Sequence, residues 1–314
     1  MKRNTNVTII MYHYVRDLAH SQYPDIKGLD IILFREQIKH LKRNHNLITM
    51  EMLIDALDNE TTLPKDAVLL TFDDAYSEHY TYIFPLLDEN KIQGSFYTPV
   101  KAVTQHTVLD VNKIHFILAV EKDKSKILRE INTELNNLKN DYNLENYDYY
   151  FSKLAHPNRF DTAEVIFIKR LLQVELDEQV RNIITNNLFE KVVGRDQASF
   201  SRELYMDIEQ IKCMRRNGMH IGSHGYDHYW LGSLSEEDQK QEIKQSLNFL
   251  GEIGCDINQW TISYPYGNYS DTTIKLLQQY NCKLAFTTEV QVADVKRDNR
   301  FTLPRLDTND IIIS

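Results

Sequence analysis

The sequence predicts an α/β protein, a (β/α) barrel or wound sheet that carries a mostly helical insertion. Three observations support this. Apolar runs of strand length stop abruptly at polar residues, as in Ala67-Val68-Leu69-Leu70-Thr71-Phe72-Asp73-Asp74, and helix-periodic segments follow them. Strand and helix patterns alternate over residues 1–100 and again over 201–314, as parallel strands with right-handed crossovers do. Between them, residues 101–200 nearly lack glycine and repeat Leu and Ile at helical spacing. The expected organisation is a barrel from 1–100 and 201–314, with 101–200 as a helical insertion and candidate lid or specificity element.

Taken in order, residues 7–15 form the first strand, which ends in Tyr12-His13-Tyr14. Phe34, Ile38 and Leu41 recur at helical spacing and predict an amphipathic helix to about Arg43. A short strand at 46–49 and a helix at 50–57 follow. Pro64 precedes the strand at 67–72, and a helix from about Glu78 to Glu89 leads to a strand at 94–100. Inside the insertion, 114–118 and 166–172 are helix-periodic. Aromatics cluster at Tyr147-Asp148-Tyr149-Tyr150-Phe151, which reads as core or as a sugar-stacking surface. The helix at 206–216 is stopped by Asn217-Gly218 and leads to a strand at 219–224. Ser235-Glu236-Glu237-Asp238 opens the next helix, with acids in its first turn. A strand at 260–264, the turn Pro265-Tyr266-Gly267, a helix at 271–280 and a strand at 283–288 follow, and 300–306 reads as a last strand.

Composition narrows the function. The 314 residues hold 36 Lys and Arg against 45 Asp and Glu, a net charge of −9. No basic surplus exists to neutralise phosphates, so a general nucleic-acid binder is excluded. Cys213, Cys255 and Cys282 are odd in number and match no CxxC spacing. They predict reduced, buried thiols rather than a disulfide framework or structural zinc site. Met1-Lys2-Arg3 is basic, but the apolar stretch after it is short, contains His13 and lacks a small-residue cleavage site. No segment has the length of a transmembrane helix. The expectation is a cytoplasmic protein, with peripheral membrane contact left open.

Chemistry concentrates at strand ends. Adjacent aspartates on an extended chain point to opposite sides, so Asp73 and Asp74 share one site only if the chain bends there. Alone, the pair reads equally as a cap for the next helix. His224 and His228, four apart after a strand, suit a single metal, although such pairs also occur on surfaces. With one aspartate they make a facial set that leaves positions open for water and substrate. Pro265-Tyr266-Gly267 is an ordinary tight turn or, beside a metal, a source of an N–H for a developing oxyanion. Lys113 and Arg159 in the insertion read as solvated rather than as phosphate contacts.

These stretches together resemble the polysaccharide deacetylases of the NodB-homology type, carbohydrate esterase family 4. Met11-Tyr12-His13-Tyr14-Val15 is similar to that family's opening strand, and 34–57 followed by Leu63-Pro64 to its helix and lead-in. Thr71-Phe72-Asp73-Asp74-Ala75-Tyr76 resembles its TFDDG signature, with Ala75 where Gly is usual. His224 to His228 resembles its H-x-x-x-H segment, and Tyr264-Pro265-Tyr266-Gly267 its P-Y-G turn. The resemblance implies a deformed (β/α) barrel with fewer strands than a TIM barrel. It implies Asp73 as general base, Asp74, His224 and His228 as metal ligands, and the backbone N–H of Tyr266 as an oxyanion donor. The shell suits zinc, and Co, Ni or Mn fit similar shells.

The implied activity is removal of an N-acetyl group from an acetamido sugar. With no export signal recognised, a cytoplasmic nucleotide- or lipid-linked precursor of a surface polysaccharide is the expected substrate. A non-catalytic carbohydrate-binding protein on the same fold and an O-acetyl esterase are the rival readings. Two departures bear on mechanism. Ser263 stands where the family often has an Arg facing the base, and Arg305, in Leu303-Pro304-Arg305-Leu306, is the candidate replacement. The family's late Leu-x-His, its general acid, is absent, since no histidine follows His228. His13 is the first candidate substitute and His115 the second.

Overall fold

The computed structural model describes residues 4–158 and 161–311; Met1-Lys2-Arg3 and Arg159 lie outside them. The chain forms two compact units. One comprises Met1–Asp17, Gly28–Thr107 and Ser201–Ser314, the other Leu18–Lys27 and Val108–Phe200.

The first unit is built on a curled, mostly parallel sheet. Its strands lie in the order Ala293–Asp294, Asn6–Tyr12, Ala67–Asp73, Ser95–Thr98, His220–Ser223, Thr261–Ser263 and Leu284–Phe286. Parallel strands covered on both faces read as continuous apolar runs, and all seven residues of Ala67–Asp73 are buried. The register sets Tyr12 beside Phe72, and Phe96 and Tyr97 beside Phe72 and Asp73. Side chains alternate along a strand, so Tyr12, Phe72 and Phe96 share one face. Their rings stack at 5.0 and 4.7 Å, and Phe34 of the Ile31–Asn44 helix packs edge-on to Tyr12 at 5.2 Å. The same alternation turns Leu69, Thr71 and Asp73 to the opposite face. There Leu69 joins Val7, Ile9, Tyr97, Leu284, Phe286 and Leu303 in one apolar cluster.

An irregular segment stitches the ends of the sheet together. Leu303 bridges Phe286 of the last strand, and Leu306–Asp307 pairs in parallel with Ile10 and Met11 of the first. Arg305 lies between these two attachments. The expected strand at 300–306 is therefore a bridge followed by a two-residue pairing. Ala293–Asp294, antiparallel to Asn6 and Val7, has no periodic signal because only two residues pair. The helix expected from Glu78 opens as a π turn, His79–Ile83, before the α-helix Phe84–Glu89. Pro85 explains the wide turn: it has no N–H to give and its ring clashes with the carbonyl four residues back.

The second unit is helical. Ile127, Ile131 and Leu135 form the buried stripe of the Lys124–Tyr142 helix, and Tyr23 packs edge-on to Phe116 at 4.9 Å. The aromatic cluster divides: Tyr147, Phe151 and Phe167 pack 5.0–5.5 Å apart and Tyr150 is buried, whereas Tyr149 is exposed. Lys113 is not solvated as expected. It is buried, with Nζ 3.1 Å from Asp110 and 2.7 Å from Asn186 Oδ1, because two partners on its inner side offset its desolvation. All three cysteines are free; Cys282 is buried, but Cys213 and Cys255 are only half-buried. Among the described residues, no helix is long and apolar enough to cross a membrane.

Candidate active site

The site is built on the first unit, where its strands end. Asp73 closes the Ala67–Asp73 strand, and the chain then turns sharply: Asp74 has φ 77° and Ala75 φ 53°. Two successive left-handed residues cost roughly 1–2 kcal/mol each. The bend lets adjacent carboxylates serve one edge of the sheet while meeting different partners.

Asp74 meets the histidines. Its Oδ2 accepts a 2.6 Å hydrogen bond from the Tyr76 hydroxyl, whose ring stacks on Tyr14 at 4.0 Å. Its Oδ1 is buried with no hydrogen bond, 3.4 Å from His224 Nε2 and 3.3 Å from His228 Nε2. The His224 Nδ1–H donates to the Ser263 carbonyl at 2.7 Å, which leaves the Nε2 lone pair turned toward Asp74. Burial pushes the Asp74 carboxyl up, but the two imidazoles outweigh it and hold the group well below the usual carboxylate range. Donor atoms of Asp74, His224 and His228 lie within 4.8 Å of one another, and all three residues are buried. An orphaned carboxylate oxygen facing two imidazole nitrogens, one of them oriented by the Ser263 carbonyl, offers three converging donor atoms of the kind a divalent cation fits.

Asp73 meets Arg305 instead. The guanidinium is fully buried and every N–H has an acceptor. Nη2 reaches Asp73 Oδ2 at 2.7 Å and Ser263 Oγ at 2.9 Å. Nη1 reaches Asp73 Oδ1 and Thr71 Oγ1, both at 3.1 Å, and Nε reaches the Thr287 carbonyl at 3.0 Å. The Ser263 hydroxyl also donates to Asp73 Oδ2 at 3.0 Å. Burial pushes the Asp73 carboxyl up, and the groups around it, led by the Arg305 guanidinium, more than reverse this, leaving it at about 2. It is ionised at neutral pH.

His13 follows the first strand. Its Nε2 is 3.9 Å from Asp73 Oδ2, with 41% of the side chain exposed. Beneath it, buried His79 donates from Nε2 to the His13 carbonyl at 2.9 Å. Tyr266, at φ 57°, presents its ring edge-on to His228 at 4.8 Å and stacks on Trp230 at 4.8 Å. The structure thus gathers Asp73, Asp74, His224, His228, Arg305, His13 and Tyr266. His115 is elsewhere, on the Asp110–Val120 helix of the helical unit. Thr71, Tyr76 and His79 were not singled out by sequence. Strand alternation gives a signal for Thr71, which shares a face with Asp73; Tyr76 and His79 carry none.

The family described as polysaccharide deacetylase matches over residues 60–140 and 184–285, more than half of the chain. The Bacillus subtilis protein YxkH is 31% identical over 93 residues, which is 29% of this chain and 32% of that protein. Two solved structures share the fold. One is the Streptococcus pyogenes deacetylase PplD in complex with acetate, with TM-score 0.58 and 17% identity, covering 98% of this chain and 93% of that one. The other is IcaB from Ammonifex degensii, with TM-score 0.56 and 18% identity over the same shares. Sequence match, fold and the geometry of the paired aspartates agree, and the chain belongs to the polysaccharide deacetylase family of the NodB-homology type.

Proposed function

We propose that the protein is a metal-dependent hydrolase that removes an N-acetyl group from an acetamido sugar. The observation that carries this reading is the separation of two adjacent carboxylates. Asp73 is clamped by Arg305, whereas Asp74 offers an unpartnered oxygen beside two imidazoles. Asp74, His224 and His228 would hold the ion, zinc by donor type, with Co, Ni or Mn as substitutes. When bound, such an ion polarises an acetyl carbonyl and lowers the pKa of water.

The chain's own groups supply the rest. Asp73 accepts the proton of the water that attacks the acetyl carbon. Arg305 and Ser263 hold its two oxygens in a fixed plane throughout. The backbone N–H of Tyr266 stabilises the oxyanion. His13, the half-exposed base nearest Asp73, delivers the proton that lets the sugar amine leave, so that amide and water become amine and acetate. We take the substrate to be a cytoplasmic nucleotide- or lipid-linked precursor of a surface polysaccharide.

The test is acetate release from N-acetyl and O-acetyl sugars, carrier-linked and polymeric, with metal content measured in parallel. Asp73→Asn is expected to abolish release while metal stays bound, and His224→Ala to lose the metal. Full activity in either variant refutes the scheme. Release from O-acetyl substrates alone makes the protein an esterase, and sugar binding without release makes it a binding protein.

A further inference from the structure

His224 and His228 are joined by a loop that turns through two left-handed residues. Gly225 has φ +75° and His228, a non-glycine residue, φ 58°. A left-handed non-glycine residue such as His228 persists only where its surroundings hold it, whereas Gly225 takes this conformation freely. Glu242 approaches from the Glu236–Glu252 helix and is 7% exposed. Its Oε2 accepts from the N–H of Tyr226 at 2.7 Å and from the N–H of Asp227 at 3.1 Å. Two consecutive N–H groups converging on one oxygen form an anion-binding concavity, filled here by the protein's own side chain. The fit is close: a Cβ added to Gly225 would come within 3.2 Å of the same oxygen.

The other ties act on the far side of the same loop. Lys101 N–H donates to the Tyr226 carbonyl at 2.8 Å, and the Lys101 ammonium pairs with the Asp227 carboxylate. The Tyr229 hydroxyl donates to Asp227 Oδ2 at 2.7 Å. Glu242 is thus set against Lys101 and Asp227, and the peptides between the two imidazoles are gripped from both faces.

We propose that Glu242 is a positioning residue that fixes the spacing of His224 and His228 and so sets the affinity for the divalent ion. This rests on reading Asp74, His224 and His228 as metal donors. Groups that orient metal ligands commonly change affinity by roughly 10- to 100-fold when removed.

Three variants of the full chain test it: Glu242→Leu, which fills the volume without an acceptor; Glu242→Asp, which is too short to reach both N–H groups; and Glu242→Gln, which keeps an acceptor oxygen. Zinc affinity is measured by chelator competition. Amide hydrogen exchange at 224–228 and thermal melting are measured on metal-free protein. Glu242→Leu is expected to weaken zinc by about 10- to 100-fold and to speed exchange at Tyr226 and Asp227. Glu242→Asp should show a smaller shift of both, and Glu242→Gln should restore both. If Glu242→Leu does not fold, the Asp and Gln pair decides. Zinc affinity and exchange unchanged in the Leu and Asp variants overturn the proposal alone. Lowered melting with unchanged affinity and exchange does so too, by making Glu242 merely structural. A wild-type chain that binds no divalent metal overturns the metal reading, and this proposal with it.

Discussion

Replacing Arg305 by methionine isolates the clamp on Asp73. The side chains have similar length, so the main change is the loss of five N–H donors, four of them in the two Nη groups that hold Asp73, Ser263 and Thr71. Asp73 keeps only the Ser263 hydroxyl among these contacts, in a site with almost no solvent access. Removing one partner of a buried ion pair leaves the other charge uncompensated and costs about 3–5 kcal/mol. Neutralising the survivor should recover much of that. Asp73→Asn/Arg305→Met is therefore expected to be more stable than Arg305→Met by about 2 kcal/mol, although it carries one substitution more. Urea unfolding of metal-free wild type, both single variants and the double variant at pH 7.5 measures the coupling. Additive losses, or an Arg305→Met loss below about 1 kcal/mol, would refute the claim that the pair is a mutually dependent buried clamp.

Ala75 sits at φ 53° with its methyl buried. Glycine there relieves roughly 1–2 kcal/mol of strain, but loses a buried methyl worth about 0.8 and frees the unfolded chain by about 0.4–1. Ala75→Gly should thus change unfolding free energy by less than about 1 kcal/mol, whereas β-branched Ala75→Val should lose more than about 2; chemical denaturation distinguishes the two. Burial pulls the His79 imidazole down to about 4, against the opposing pull of its hydrogen bond to the His13 carbonyl and of the Asp74 and Asp73 carboxylates. Between its ordinary value and 4 the unfolded chain takes up a proton that the folded chain refuses, so stability falls as pH drops through that window. The loss is up to about 3 kcal/mol. In metal-free His79→Gln, which retains a donor toward the His13 carbonyl, urea midpoints at pH 4.5 and 7 should lie closer together than in wild type. An unchanged gap would mean that His79 is not the group being titrated, since His220, also depressed to about 4 by burial, acts in the same window.

Much of the site was legible because its signals are local. The run at 67–74 shows a buried strand and its end within eight residues, and strand alternation puts Thr71 and Asp73 on one face without any structure. His224 and His228 are four apart, and the turn at 265–267 announces itself through Pro and Gly. What escaped depends on distant pairings. Arg305 reads from sequence as the candidate replacement for the arginine that faces the base, but its full burial and five-donor clamp do not. That it enters the interior follows from Leu303 joining Phe286 while Leu306 joins Ile10, and no periodicity encodes two such attachments. Glu242 carries no sequence signal, because its partners are backbone N–H groups 15 and 16 residues earlier. Lys113 shows the reverse error: charge predicts exposure on average, but Asp110 and Asn186 create an exception that needs both to be folded around it.

The seam that closes the sheet also governs when the site exists. Asp73 and Arg305 are 232 positions apart. A chain folding from its beginning would hold the Asp73 carboxylate for almost the whole of its length before its counter-charge arrives. Until Leu303 and Leu306 dock, the interior cannot close around that carboxylate without stranding a bare charge, and contacts this remote in sequence form late. Ordering of Asp73 and closure of the barrel are therefore one kinetic event. In refolding, the last step that buries the sheet should be the step at which hydrolytic competence appears, with no partly folded species that is active.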